Sequence, residues 1–147
     1  MNKVNSYLSL IRFYNPIGFW LLLWPGLWGL FLTNSFEIDH FTIVVLGSFL
    51  TRSLGCAIND LLDHKYDREV DRTKERPLAN GELSFAEGII FTALLGIGCL
   101  YLLSLTNVFV ICFAAIIAIP MILLYPLMKR FLGIPQLFLG LTFGLSL

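Results

Sequence analysis

The chain has 147 residues, of which 57% are hydrophobic, and its ten basic and ten acidic residues give a formal net charge of zero. Soluble domains carry a lower apolar share, so this composition excludes an ordinary soluble domain and predicts an integral membrane protein. The cysteines lie inside apolar runs without a CxxC pair, and they support neither a zinc site nor a disulfide framework: Cys56, Cys99 and Cys112.

The first half of the chain contains two apolar segments that are long enough to cross a membrane. Residues 17–33 carry no charge, and a helix of that length approaches the ~30 Å hydrocarbon layer at ~1.5 Å per residue. Pro25 lies inside this span, which membrane helices tolerate when neighbouring groups satisfy the freed carbonyl. Residues 41–58 form the second span. They contain Arg52, which we expect to point into the helix bundle because a charge facing lipid is costly.

Further apolar segments follow a polar stretch at residues 59–84, which we predict to be a cytoplasmic loop. Ser84 and Glu87 match the S-x-x-E capping box, so a third span is predicted at residues 85–105. The chain is therefore predicted to be all-α, a multi-pass transmembrane helical bundle in a single membrane domain over residues 1–147. The fourth and fifth predicted spans are residues 108–128 and 134–147.

Basic residues cluster in three of the segments outside these spans. By the positive-inside rule, those segments face the cytoplasm of a bacterium or the matrix of a mitochondrion, across the inner membrane. The polar stretch belongs to that side. We expect the lipid bilayer to be the surrounding partner and predict no nucleic-acid partner. The basic residues that decide the orientation are Lys3, Arg12, Lys65, Arg68, Arg72, Lys74, Arg76, Lys129 and Arg130.

The polar stretch carries side chains with oxygen atoms, one amide and two carboxylates, at helical spacing. Asn59, Asp63 and Asp67 recur at i, i+4 and i+8, so they share one stripe if the second helix continues beyond the membrane surface. Carboxylates so close together repel unless a cation lies among them, and hard oxygen ligands suit Mg²⁺. Asp60 and Asp71 lie close to these three residues in the sequence, and they can complete the ligand shell of the cation or bind a second ion. This pattern is typical of a magnesium site.

Basic residues come directly after the acidic ones, at Arg72, Lys74 and Arg76. They are suitable donors for a diphosphate whose charge a metal has partly neutralised. Arg76 precedes Pro77 and therefore avoids the α region, which predicts a loop from there to Gly81. The alternative is a solvated loop in which Asp and Arg side chains pair with one another, since surface ion pairs are common and weak. The residues alone leave both interpretations open.

Ordered motifs along the chain resemble the UbiA family of intramembrane aromatic prenyltransferases. The N-D-x-x-D-x-x-x-D pattern begins at Asn59, and the segment 72–78 is similar to the R-T-K-x-R-P-L signature of that family. Two flanking blocks, at residues 15–25 and 125–136, strengthen the resemblance, which extends over essentially the whole chain. The chain is most similar to the branch that prenylates 4-hydroxybenzoate for ubiquinone synthesis.

The resemblance implies a Mg²⁺-dependent transfer of a polyprenyl group from polyprenyl diphosphate to the ring of 4-hydroxybenzoate. It implies that the metal is held by Asn59, Asp63 and Asp67, with Asp60 as a supporting ligand. The side chains expected to be catalytic are Asp63, Asp67 and Lys129. Those expected to bind substrate are Arg72, Lys74, Arg76 and Lys129 on the diphosphate, Tyr125 near the phosphate, and Arg12 and Arg52 either on the acceptor carboxylate or paired within the bundle.

The sequence also departs from the family. Members carry a second aspartate-rich motif in the C-terminal half and about nine membrane helices, whereas no acidic residue follows Lys129 here. We therefore expect these residues to be the N-terminal half of an enzyme and to be inactive alone. Two alternatives stay open: a sister enzyme with a naphthoate, homogentisate or haem acceptor, and a non-catalytic membrane protein whose polar loop binds cations or lipid headgroups.

Overall fold

The computed structural model of the protein describes residues 2–33, 37–121 and 140. Within those ranges the chain forms helices and no β-strand, which confirms the predicted all-α class. The end of the predicted fourth span and, apart from Gly140, the predicted fifth span lie outside the described residues, as do Tyr125 and Lys129. The helices in chain order are α1 (Lys3–Leu10), α2 (Ile17–Leu32), α3 (Ile38–Asp67), α4 (Phe85–Ser104) and α5 (Val108–Phe113), which continues into a π-helical turn at Ala114–Ala118.

The short helix α1 is a feature that sequence analysis did not predict. Leu10 at its end is completely buried, and Ser6 donates a 2.7 Å hydrogen bond from Oγ to Oε2 of Glu82. Lys3 pairs with Glu87 at the start of α4, and this hydrogen bond and the charge of Glu87 raise the pKa of Lys3. These contacts hold the N-terminal segment against Glu82 and the start of α4.

The central element of the fold is α3, which packs against α1, α2 and α4. Its 30 residues extend about 45 Å at ~1.5 Å per residue, well beyond the ~30 Å hydrocarbon thickness. Residues 59–67, which were predicted to begin the loop, are therefore helical, and the loop starts at Arg68. The helix continues because this segment contains no glycine or proline and the buried carboxylates of Asp60 and Asp67 have cationic partners.

The other apolar helices flank α3. Both α3 and α4 are long and apolar enough to cross a membrane, whereas α2 and the helical stretch Val108–Met121 are apolar but shorter. The start of α4 confirms the predicted capping box: Glu87 N–H donates to Ser84 Oγ at 3.2 Å, and Ser84 N–H donates to Glu87 Oε2 at 2.9 Å. Most apolar side chains along α2 and α4 are exposed, as expected for surfaces that face lipid or further helices.

The buried core lies at the polar end of the helices. Leu10 from α1 and Ala57 from α3 pack with Leu78 and Leu83 from the loop that joins α3 to α4. Gly88 brings α4 close to this loop, since a Cβ atom there would lie 2.8 Å from Leu78 Cδ2. The loop is therefore packed into the fold by apolar contacts, and this packing positions its charged residues against α3.

Candidate functional site

The candidate site is the acidic face at the end of α3. Asp60, Asp63 and Asp67 follow one another at spacings of three and four residues, which places them on the same side of the helix. All three are buried, with exposed fractions of 1%, 6% and 8%. Asn59 is half-buried beside them. The shared stripe was predicted on the condition that the helix continues beyond the second span, and α3 meets this condition because it extends to Asp67.

Arg76 from the loop lies against this acidic face. Its Nη1 atom donates to Asp67 Oδ2 at 2.7 Å and to Asp60 Oδ1 at 3.1 Å, so a single guanidinium bridges two carboxylates about two helical turns apart. Backbone hydrogen bonds from Ala79 and Asn80 to the Arg76 carbonyl form the turn that presents it. Arg76, which was predicted to bind diphosphate, is thus ion-paired with the acidic face in this structure.

Arg12, near the N-terminus, contacts one of the same two carboxylates, that of Asp60. Its backbone φ of 59° lies in the left-handed region, which costs a non-glycine residue free energy and is typical of functional or tightly constrained positions. Its Nη2 atom donates to Asp60 Oδ1 at 2.7 Å, and its Nη1 atom donates to the Ser9 carbonyl at 3.2 Å. Two roles were predicted for Arg12, namely binding of the acceptor carboxylate and pairing within the bundle. In the structure Arg12 pairs with Asp60.

The loop that carries Arg76 is ordered by two further contacts. Thr73 is buried, and its Oγ1 donates to the Asp67 carbonyl at 3.1 Å, which satisfies an acceptor at the end of α3. Arg68 donates from Nε to the Ala79 carbonyl at 3.0 Å. Sequence analysis included Thr73 in the R-T-K-x-R-P-L segment but assigned it no role. The available signal was that it is the one uncharged residue among residues 71–76.

Other predicted substrate-binding residues lie elsewhere. Lys74 pairs with Asp71 at 2.9 Å on the exposed side of the loop, and Arg72 is also exposed. Arg52, as predicted, points into the bundle, where it packs against Gly18 of α2, and its Nε atom is buried without a hydrogen-bond partner among the residues described here. The structure thus brings Arg76 and Arg12 together at the acidic face.

The comparison with known protein families decides where this chain belongs. The sequence model of the UbiA prenyltransferase family matches residues 22–147. The chain belongs to the UbiA prenyltransferase family. Family membership and the two long apolar helices make it an integral membrane protein. No solved structure shows a significant match to the chain.

Curated relatives of this UbiA-family chain are bacterial enzymes named 4-hydroxybenzoate octaprenyltransferase. The chain is 41% identical to the one from Polynucleobacter asymbioticus over 147 residues, which cover 99% of the chain and 51% of that relative. It is 43% identical to the Marinomonas sp. enzyme and 44% identical to the Vibrio vulnificus enzyme, with 98% of the chain and 51% of each relative covered. The chain thus spans about half the length of the curated relatives it matches.

UbiA-family enzymes generally use a divalent metal, so the acidic face can be compared with the needs of such an ion. Its donors are carboxylate and amide oxygens on one side of α3, which is the ligand chemistry of a hard divalent cation. In the described segments, however, no three His, Cys, Asp or Glu side chains converge as a group that could hold a metal ion. The residues fit a cation as one side of a ligand shell, and Arg76 and Arg12 neutralise part of their charge in this structure.

Proposed function

We propose that the full-length gene product transfers a polyprenyl group from polyprenyl diphosphate to 4-hydroxybenzoate in ubiquinone biosynthesis, and that the reaction depends on Mg²⁺. The observation that carries this proposal is the buried acidic face of α3 with a loop arginine held against it. Membership of the UbiA family and the names of the relatives support the same substrates. The activity is proposed for the whole protein, because the chain covers about half of each relative.

Asn59, Asp63 and Asp67 are the proposed metal ligands. They lie on the last turns of α3 and present only oxygen donors to a cation. When bound, Mg²⁺ supplies positive charge that stabilises the diphosphate as it leaves the allylic carbon. Asp63 and Asp67 carry the negative charge that attracts this cation, so activity should depend most strongly on these two side chains.

Basic side chains near the acidic face are the proposed donors to the diphosphate. Arg76 has further N–H groups beyond Nη1 that can donate to phosphate oxygens, and its planar fork suits two of them at once. Arg72 and Lys74 lie on the same loop, and we propose Lys129 and Tyr125 as additional donors. Their hydrogen bonds stabilise negative charge that develops as the carbon–oxygen bond breaks.

Arg52 is the side chain that we propose for the carboxylate of the acceptor. Its guanidinium lies inside the bundle between α2 and α3, where a charged group needs a partner. Arg12 is the second candidate, although its guanidinium already donates to Asp60. The apolar helices around these groups exclude water, which would otherwise trap the allylic cation before the aromatic ring reacts with it.

The proposed orientation places the acidic face on the cytoplasmic side, or on the matrix side in an organelle. The loop that follows α3 carries four of the eight lysine and arginine residues in the described part of the chain, and loops rich in basic residues stay on that side of the membrane. A polyprenyl diphosphate can then keep its tail in the hydrocarbon layer while its charged headgroup meets the end of α3.

The experiment that tests this function measures prenylated product in membranes that contain the full-length gene product. Asp63→Ala and Asp67→Ala should each lower the rate with 4-hydroxybenzoate, polyprenyl diphosphate and Mg²⁺ by about 100-fold or more, as expected when stabilisation of the leaving charge is removed. The matched control is Asp39→Ala, which removes an exposed carboxylate from the other end of α3 and should retain activity.

Two results would contradict the proposal. Full activity of Asp63→Ala and Asp67→Ala would remove the acidic face from the reaction. Prenylation of a naphthoate, homogentisate or haem, with none of 4-hydroxybenzoate, would assign the protein to another branch of the family.

A further inference from the structure

Asp60 differs from the other two carboxylates of the acidic face. It is 1% exposed, and its Oδ1 atom accepts from Arg12 at 2.7 Å and from Arg76 at 3.1 Å. Its Oδ2 atom is also buried and has no hydrogen-bond partner among the described residues. Both oxygens of Asp60 are therefore closed to an ion that arrives from solvent, one by two guanidinium groups and the other by burial.

The four charged groups form one balanced cluster. Arg12 and Arg76 contribute two positive charges, and Asp60 and Asp67 contribute two negative charges, linked in the order Arg12, Asp60, Arg76, Asp67. Charges removed from water are tolerated when they are paired in this way. Asp60 is the one member with two cationic partners, so it joins the N-terminal segment to the loop.

Arg76 is shared between two carboxylates through the same Nη1 atom. A divalent cation on Asp67 would compete with the guanidinium for that carboxylate, because like charges a few ångströms apart repel. Asp60 would then be the contact that retains Arg76 at the acidic face. Without Asp60, the arginine would move toward water as the cation binds.

We propose that Asp60 is a positioning residue and not a metal ligand: its buried carboxylate holds Arg76, with Arg12 on its other side, so that Arg76 remains beside the diphosphate when a cation takes Asp67. This inference rests on the proposed function and assigns Asp60 a part distinct from that of Asp63 and Asp67. It predicts that loss of Asp60 weakens binding of the diphosphate more than binding of the metal.

The test uses the full-length gene product in detergent and measures two affinities separately. Mn²⁺ binding without substrate is measured by electron paramagnetic resonance, and binding of geranyl thiolodiphosphate, a diphosphate analogue that ionises slowly, is measured by calorimetry with Mg²⁺. Asp60→Asn should weaken analogue binding by about tenfold or more, the effect of losing a charge-assisted contact. Its affinity for Mn²⁺ should change less than about threefold, whereas Asp67→Asn should weaken Mn²⁺ binding by about tenfold or more.

A double-mutant cycle distinguishes positioning from general damage to the fold. If Asp60 acts through Arg76, the variant with both Asp60→Asn and Arg76→Gln should bind the analogue no more weakly than Arg76→Gln alone. Asp60→Glu should recover part of the affinity, and Asp39→Asn, the same chemical change at the exposed start of α3, should have no effect.

The outcomes are separable. Loss of Mn²⁺ binding in Asp60→Asn equal to that in Asp67→Asn, fully additive effects in the cycle, or unchanged analogue binding in Asp60→Asn would each overturn the positioning role. Failure of the unmodified protein to bind both Mn²⁺ and the analogue would instead overturn the proposed function on which the role depends.

Discussion

Gly18 of α2 lies directly against the guanidinium of Arg52 in α3. A Cβ atom on Gly18 would come within 2.1 Å of Arg52 Nε and 2.5 Å of Arg52 Cζ, so a side chain at residue 18 is incompatible with the present position of the guanidinium. Gly18 is buried, and the contact joins two helices that pack along each other. The glycine is therefore a requirement for the position of an arginine inside the bundle.

Gly18→Ala should displace the guanidinium of Arg52 with little loss of stability, because this group is the far end of a flexible side chain and can shift. If Arg52 binds the acceptor carboxylate, the KM for 4-hydroxybenzoate should rise while the KM for polyprenyl diphosphate stays near its original value. Unfolding in detergent and steady-state kinetics measure the two effects. Gly47→Ala is the matched control, since a Cβ atom there meets no other atom within 4 Å, and it should be neutral or slightly stabilising.

Arg12 combines a left-handed backbone with a buried ion pair, and two substitutions separate these features. Arg12→Ala and Arg12→Gly both remove the partner of Asp60, and each should destabilise the protein. Arg12→Gly should be less harmful by about 1 kcal/mol, because glycine adopts a positive φ without steric conflict. The free energies of unfolding of the two variants give this difference directly. Equal stability, or a more stable alanine variant, would show that the backbone at residue 12 is not constrained to the left-handed region.

Thr73 fastens the loop to the end of α3, so Thr73→Val should loosen the loop. The substitution keeps the shape of the side chain but leaves the Asp67 carbonyl without this buried donor, at a cost of about 1–3 kcal/mol. Trypsin should then cleave after Arg72 or Lys74 faster than in the unmodified protein, as limited proteolysis would measure. Thr73→Ser should retain the slow rate. So should Thr42→Val, which removes a hydroxyl bonded to the Ile38 carbonyl on the exposed start of α3.

Ser84 caps α4, and Ser84→Ala should lower the free energy of unfolding by about 1 kcal/mol through loss of the capping hydrogen bond to the Glu87 N–H. Ser84→Thr keeps an acceptor oxygen and should be nearly neutral. Ser104→Ala, at the other end of the same helix, provides a comparison on an exposed serine. An effect of Ser104→Ala as large as that of Ser84→Ala would argue against a specific role for the cap.

Several features of the fold could be predicted because they depend on neighbouring residues. Long apolar segments predict membrane helices, and the S-x-x-E pattern predicted the start of α4, which the structure confirms at Ser84. The helical spacing of Asp63 and Asp67 likewise predicted a shared face. The boundary of the polar loop was wrong by nine residues, since α3 continues to Asp67. Hydropathy marks where a segment leaves the hydrocarbon layer, but a helix can continue in water when its polar side chains have partners.

The candidate site itself depends on residues that are far apart in the chain. Composition, spacing and motif order were sufficient to assign this polypeptide to a class, a family and an acidic face, because each of these can be read from the order of residues without knowing which distant residues are in contact. The meeting of Arg12 and Arg76 on Asp60 joins residues separated by 48 and 16 positions, and it was decided by the packing of α1 and the loop around Leu10 and Leu78. Ion pairs form where the backbone brings charges together, so only the tertiary structure could determine which arginine each carboxylate would bind.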